Sequence, residues 1–154
     1  MYLYKYFICF ANNSNWEVIE MAQAYPYQYK GKQTTKQEKC KASMPLDKAR
    51  VWLDFNECCA YDKEGEPTIY LFSQADIVND SYGNNVELYE GMEVSVFDND
   101  FDTQNKPDAM LAEGIVIRNI FDFYPEVKWL IRLVKSKVDN KSKDKYVYWM
   151  SDLL

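Results

Sequence analysis

The sequence predicts a mainly β or α+β fold, and three observations carry that expectation. Four runs in the second half, 92–97, 110–119, 127–135 and 145–150, are short, apolar and rich in β-branched or aromatic residues, with turn-forming stretches between them. Ahead of them, Cys58–Tyr61 is joined to Thr68–Phe72 through Asp62-Lys63-Glu64-Gly65-Glu66-Pro67, the pattern of a hairpin. The 13 Tyr, 8 Phe and 4 Trp suit a pleated, half-buried surface. A length of 154 residues fits one domain with its own core. If the chain divides, the break falls at Asn79–Asn85, between an N-terminal α/β part (1–80) and a β-barrel-like part (86–150).

Residues 2–10, YLYKYFICF, are apolar on both sides of an extended chain, which predicts an interior strand. The next segment supports two readings. Ser14-Asn15-Trp16-Glu17 fits a capping box followed by Val18, Met21, Ala22 and Tyr25 at helical spacing; a turn at Asn12–Asn15 with a return strand fits as well. Residues 30–43 are polar and basic and read as an exposed loop. For 45–53, Pro45 in a first turn with Leu46, Ala49 and Leu53 suggests a helix, whereas Val51, Leu53 and Phe55 alternate as in a strand. The N-terminal half is therefore β with one or two short helices. In the C-terminal half, four or five short strands, with Gly91 and Gly114 placed where a bent sheet would kink, predict a small rolled antiparallel sheet or barrel.

Charge is unevenly placed. The formal net charge is −6, but residues 54–113 hold two basic and fifteen acidic side chains, a local −13 between basic flanks. Such a belt suits a cationic partner and disfavours nucleic acid and anionic membrane. The chain contains no histidine, which excludes Ser-His-Asp and Cys-His hydrolases, His-ligated zinc enzymes and imidazole acid–base steps. Cys9, Cys40, Cys58 and Cys59 show no CxxC spacing. With no basic n-region before the first apolar run, and Lys5 interrupting it, no leader or membrane span is expected, and reduced thiols in a cytoplasm are.

Asp98-Asn99-Asp100-Phe101-Asp102 is the segment most suggestive of chemistry. Alternating carboxylates suit a calcium loop, but Thr103 stands where that loop needs Gly and Ala109 where it needs a bidentate Glu, so no metal is expected. The same carboxylates, with Asp108, fit an anionic anchor for Lys or Arg of a protein partner. Two Pro-flanked aromatic clusters, Tyr25-Tyr27-Tyr29 and Phe121-Phe123-Tyr124, offer rigid contact area. Phe101, Tyr27, Phe123 and Tyr124 are thus expected to join Asp98, Asp100, Asp102 and Asp108 in a partner-binding surface. The five glycines are too dispersed for a phosphate-binding loop, and no GxSxG occurs, so neither a cofactor nor a catalytic residue is expected.

The segments YEGMEVSVFDND (89–100), AEGIVIRN (112–119) and VKWLIRLVKS (127–136) together resemble a small SH3-like barrel. The chain as a whole, small, acidic and without catalytic motifs, is similar in profile to the immunity proteins that neutralise bacterial toxins. The resemblance implies a non-catalytic protein-binding module, an immunity-type inhibitor that meets a basic protein. Two other readings stay open: a small carboxylate-dependent enzyme, and a nucleic-acid-binding small barrel that would use Lys135, Lys137, Lys141, Lys143 and Lys145.

Overall fold

The computed structural model describes residues 6–12, 15–21, 41–122, 124–136 and 145–153. Eleven strands are present among them: β1 (Tyr6–Asn12), β2 (Asn15–Met21), β3 (Val51–Trp52), β4 (Cys58–Tyr61), β5 (Pro67–Ser73), β6 (Ile77–Asn79), β7 (Asn85–Glu87), β8 (Glu93–Asp98), β9 (Met110–Arg118), β10 (Trp129–Val134) and β11 (Val147–Trp149). A single 3₁₀ turn at Met150–Leu153 is the only helical element of the described residues. The fold is mainly β.

β1 and β2 form a hairpin in which Asn12 pairs with Asn15, so the return strand, and not the capped helix, occupies 15–21. No helix forms over 45–53 either. Val51 and Leu53 enter one core cluster while Trp52 packs into another. That switching of sides is the period of an extended chain.

The main sheet has seven strands in the order β3-β8-β9-β10-β5-β4, with β11 also on β9. β3 runs parallel to β8, and the described pairings of β8, β9, β10, β5 and β4 are antiparallel. One edge of β9 is matched along its length by β8. The other is shared, with β10 against Glu113–Arg118 and β11 against Met110–Ala112. The path ends at β3 and β4, which do not pair with each other, so the sheet is open and no SH3-like barrel closes. The reason lies in β5, which comes from outside the 89–136 stretch and takes the β10 edge that a barrel of that stretch would have needed. The Asn79–Asn85 stretch is the tip of the two-stranded β6–β7 hairpin.

Side-chain alternation sorts the sheet into two faces. Val94, Val96, Ala112, Val116, Ile131, Leu133 and Tyr70 point to one face, which Val78, Val86 and Leu88 of the β6–β7 ribbon help to cover. On the opposite face, Phe97, Leu111 and Tyr148 gather Ala109, Met150, Met44 and Leu46 at one end. Leu130 and Ile69 gather Phe121, Cys59 and Ala60 at the other. Gly114 stands in β9 for closeness of packing: a Cβ there would come within 2.6 Å of Ile131 Cγ1. Gly91 serves a tight turn, with φ of 86° at the third position of Tyr89–Met92. Among the described residues no helix is long and apolar enough to cross a membrane.

Candidate interaction surface

The acidic loop connects β8 to β9, and its aspartates and Asn99 all have structural tasks. Asp98, at the end of β8, accepts Trp52 Nε1 at 2.9 Å and the Asn99 N–H at 2.9 Å on Oδ1, and the Phe55 N–H at 3.4 Å on Oδ2. Burial and the nearby Asp54 push its pKa above the usual aspartate value, although these donors oppose that shift. Asn99 reaches across to the Lys41–Ser43 segment, accepting the Ser43 N–H at 2.7 Å and donating to the Lys41 carbonyl at 2.9 Å. Asp100 accepts the Phe101 N–H, and Asp108 is buried, accepting both the Ser151 N–H at 3.0 Å and the Ser151 hydroxyl at 2.7 Å. Phe101 is 52% exposed between Asp100 and Asp102.

Asp102 belongs to a device the chain uses three times. Its Oδ1 accepts the N–H groups of Gln104 and Lys106, its carbonyl accepts the Asn105 N–H, and its own N–H donates to the Lys106 carbonyl. Asp62 repeats the set with Glu64, Gly65 and Glu66, and Asp80 with Tyr82, Gly83 and Asn84. The fourth residue of each tip has positive φ: 82° at Gly65, 87° at Gly83 and 62° at Asn105. These are type I turns followed by a left-handed residue, the three-residue hairpin loop. Glycine adopts that conformation without steric cost, and Asn more readily than other residues. The signal stands in the sequence as Asp-x-x-Gly/Asn-x, in DKEGE, DSYGN and DTQNK. Sequence reasoning took the three aspartates as separate local features.

A second cluster of charge, which sequence reasoning missed, sits on the sheet between the two apolar ends. Its centre is Arg50, whose side chain is fully buried. Arg50 Nε and Nη2 clasp the Asp47 carboxylate at 2.8 and 3.0 Å, Nη1 donates to Glu113 Oε1 at 3.0 Å and to the Val96 and Ala112 carbonyls, and Nη2 donates to the Tyr148 hydroxyl. Glu113 also accepts Lys48, the Tyr148 hydroxyl and the Ser95 hydroxyl. Burial works against charge on Asp47, Arg50, Glu113 and Tyr148. Even so, Asp47 and Tyr148 hold the guanidinium pKa above its usual value, while Ser95, Lys48 and Arg50 hold the Glu113 carboxyl below the usual glutamate value. The backbone of Arg50 is clamped too, donating to Ser81 Oγ at 3.2 Å and accepting the Ser81 N–H at 2.8 Å.

Of the remaining candidates, the described residues Phe121 and Tyr124 do not join the acidic loop. Phe121 is buried in a core cluster, held by the Asn119 side chain, which also braces the Tyr124 and Val127 carbonyls. Tyr124, 36% exposed, follows the far end of β9, nine residues or roughly 30 Å of strand away from the loop. Tyr27 and Phe123 lie outside the described residues, as do Lys137, Lys141 and Lys143. Lys135 pairs with Glu64 and lies over the Tyr146 ring, and Lys145 pairs with Asp152. No family model, curated protein or solved structure matches this chain.

Proposed function

We propose that this chain is a non-catalytic, cytoplasmic protein-binding module, an immunity-type inhibitor, that presents the Asp98–Asp108 loop to a basic protein. One observation supports this reading above the others. Asp100 and Asp102 are hydrogen-bonded by neutral backbone N–H groups and have no ion pair among the described residues. A carboxylate satisfied by a dipole keeps its full charge in the outward field, whereas one satisfied by a cation does not. The loop thus combines fixed geometry with uncancelled charge, and Phe101 adds an exposed aromatic anchor between the two carboxylates. In this reading Asp98 and Asp108 position the loop, and Asp100, Asp102 and Phe101 touch the partner.

The test is affinity capture from cell extract by the wild-type chain and by D98N/D100N/D102N, followed by association kinetics of the captured protein. Asn keeps the acceptor oxygen that Asp102 needs for its turn. The expected result is a basic partner whose association slows about tenfold or more in the variant at low salt, the difference vanishing near 1 M salt, where charges are screened within about 3 Å. Equal association rates at low salt, or capture of no basic protein, would overturn the reading.

A further inference from the structure

A trench runs between the Lys41–Leu46 segment and the β6–β7 hairpin. Its larger branch, about 570 Å³, passes Ala75, Ile77 and Val78, and a second branch of about 320 Å³ passes Met44 and Leu46. Lys41, Ser81 and Tyr82 line both. We infer that this trench binds an amphipathic organic anion, with the acidic head at the junction between Lys41 and Ser81 and the apolar body along Ile77 and Val78.

Three features of the trench carry the inference. Its size falls within the roughly 300–1,000 Å³ typical of small-ligand sites, which are mostly apolar with a few placed polar groups. Both walls are tied to the body of the protein by hydrogen bonds: the Asn99 side chain grips the backbone of Lys41 and Ser43, and Ser81 bonds the backbone of Arg50 through its hydroxyl and its N–H. A site fixed before the ligand arrives loses less entropy on binding. The third feature is the sign of the polar groups. The carboxylate among the described lining residues, Asp80, keeps its charge but is only 8% exposed, and its oxygens are occupied by the N–H groups of Tyr82 and Asn84 and the Asn84 side chain, which leaves little of it open to a ligand. Lys41 has no ion pair among the described residues, and Ser81 Oγ accepts from Arg50, so its own proton is free to donate. The junction therefore offers a cation and a hydroxyl donor beside exposed apolar surface, with Ile77 56% and Tyr82 66% exposed. An ammonium ligand would meet Lys41 unfavourably, and a wholly apolar one would leave the ammonium and hydroxyl without partners.

The test titrates the full chain with dodecanoate, using dodecanol as its neutral counterpart, and follows Ile77 and Val78 methyl signals by NMR with calorimetry in parallel. Dodecanoate is expected to saturate one site, shift those methyls and bind more tightly than dodecanol. K41M should weaken dodecanoate roughly 10- to 100-fold, the worth of a hydrogen bond to a charged group, and leave dodecanol unchanged. Unperturbed backbone amide signals in K41M show that the fold is kept. The inference is overturned if dodecanol binds as well as dodecanoate, if K41M changes dodecanoate affinity less than twofold, or if the shifted methyls lie elsewhere.

Discussion

Glu113 beside Arg50 and the carboxylates of the Asp98–Asp108 loop come from the same acidic belt, and the molecule uses them in opposite ways. Glu113 meets cations, Arg50 and Lys48, and its charge is cancelled inside the sheet where it binds β3 and its preceding segment to β8 and β9. Among the described residues Asp102 meets only N–H dipoles, which fix a turn and leave the charge directed at solvent. What a carboxylate contributes therefore depends on whether its donor carries charge. A cation yields local stability; a dipole yields shape together with a field that a partner can use.

The largest effect expected from disturbing this division is at Arg50. Arg50→Met removes a charge that is wholly inside the protein, strands Asp47 and the guanidinium contacts of the Val96 and Ala112 carbonyls, and leaves Glu113 with Lys48 as its cation. Breaking one side of a buried charge cluster costs about 3–5 kcal/mol, readable as a drop in the urea midpoint with little change in slope. Arg50→Lys is expected to recover little of it, because an ammonium cannot make the two-pronged contact with Asp47 while also reaching Glu113 and Tyr148. A loss below about 1 kcal/mol for Arg50→Met would show that the cluster is decorative.

A smaller effect separates two tips that share one hydrogen-bond pattern. Asp80 is 8% exposed and its tip is docked on Arg50 through Ser81, so Asp80→Ala leaves sheltered N–H groups without acceptors. Roughly 1–3 kcal/mol is the cost of stranding such donors. The Asp102 tip projects into water, which can replace the lost acceptor, and Asp102→Ala is expected to cost less than about 1 kcal/mol. Asn at either position restores an acceptor and most of the stability. Equal losses in the two alanine variants, measured side by side by denaturant unfolding, would show that burial does not distinguish the tips.

The same contrast explains how much could be read from sequence. β4, β5, β8, β9 and β10 are legible because alternation and turn residues act locally. Openness of the sheet is not, since it depends on which strand takes the β10 edge, a choice between segments distant in sequence. Arg50 is invisible for a related reason: in the sequence it is one more polar residue alternating with Val51, and its burial depends on Glu113 and Tyr148 arriving from far along the chain. The choice between helix and strand at 45–53 turned on those same distant partners. The three Asp tips were fully legible, since each is contained within five residues. What concealed them is that Asp98-Asn99-Asp100-Phe101-Asp102 looks like a set of ligands, when Asp98, Asn99 and Asp102 each brace a different piece of backbone.

The smallest effect is a difference in the sign of a pH dependence. Glu113 has a folded-state pKa below its unfolded value, because Ser95, Lys48 and Arg50 overcome the opposing effect of burial. Its contribution to stability is therefore complete above the unfolded glutamate value of about 4.3 and is lost as pH falls through the folded pKa. Asp98 is shifted the other way, by burial and by Asp54. Its ionisation favours the unfolded chain, so stability linked to Asp98 is present below about 3.9 and is lost as pH rises through the folded pKa. Between pH 3.5 and 6.5 the deficit of Glu113→Gln relative to wild type should widen with rising pH. Asp98→Asn should move in the opposite direction, gaining on wild type as pH rises, whatever constant penalty the amide imposes at Trp52 and Phe55. Urea midpoints across that range measure both slopes, and slopes of the same sign would show that the cations beside Glu113 and the burial of Asp98 near Asp54 do not divide these two carboxylates.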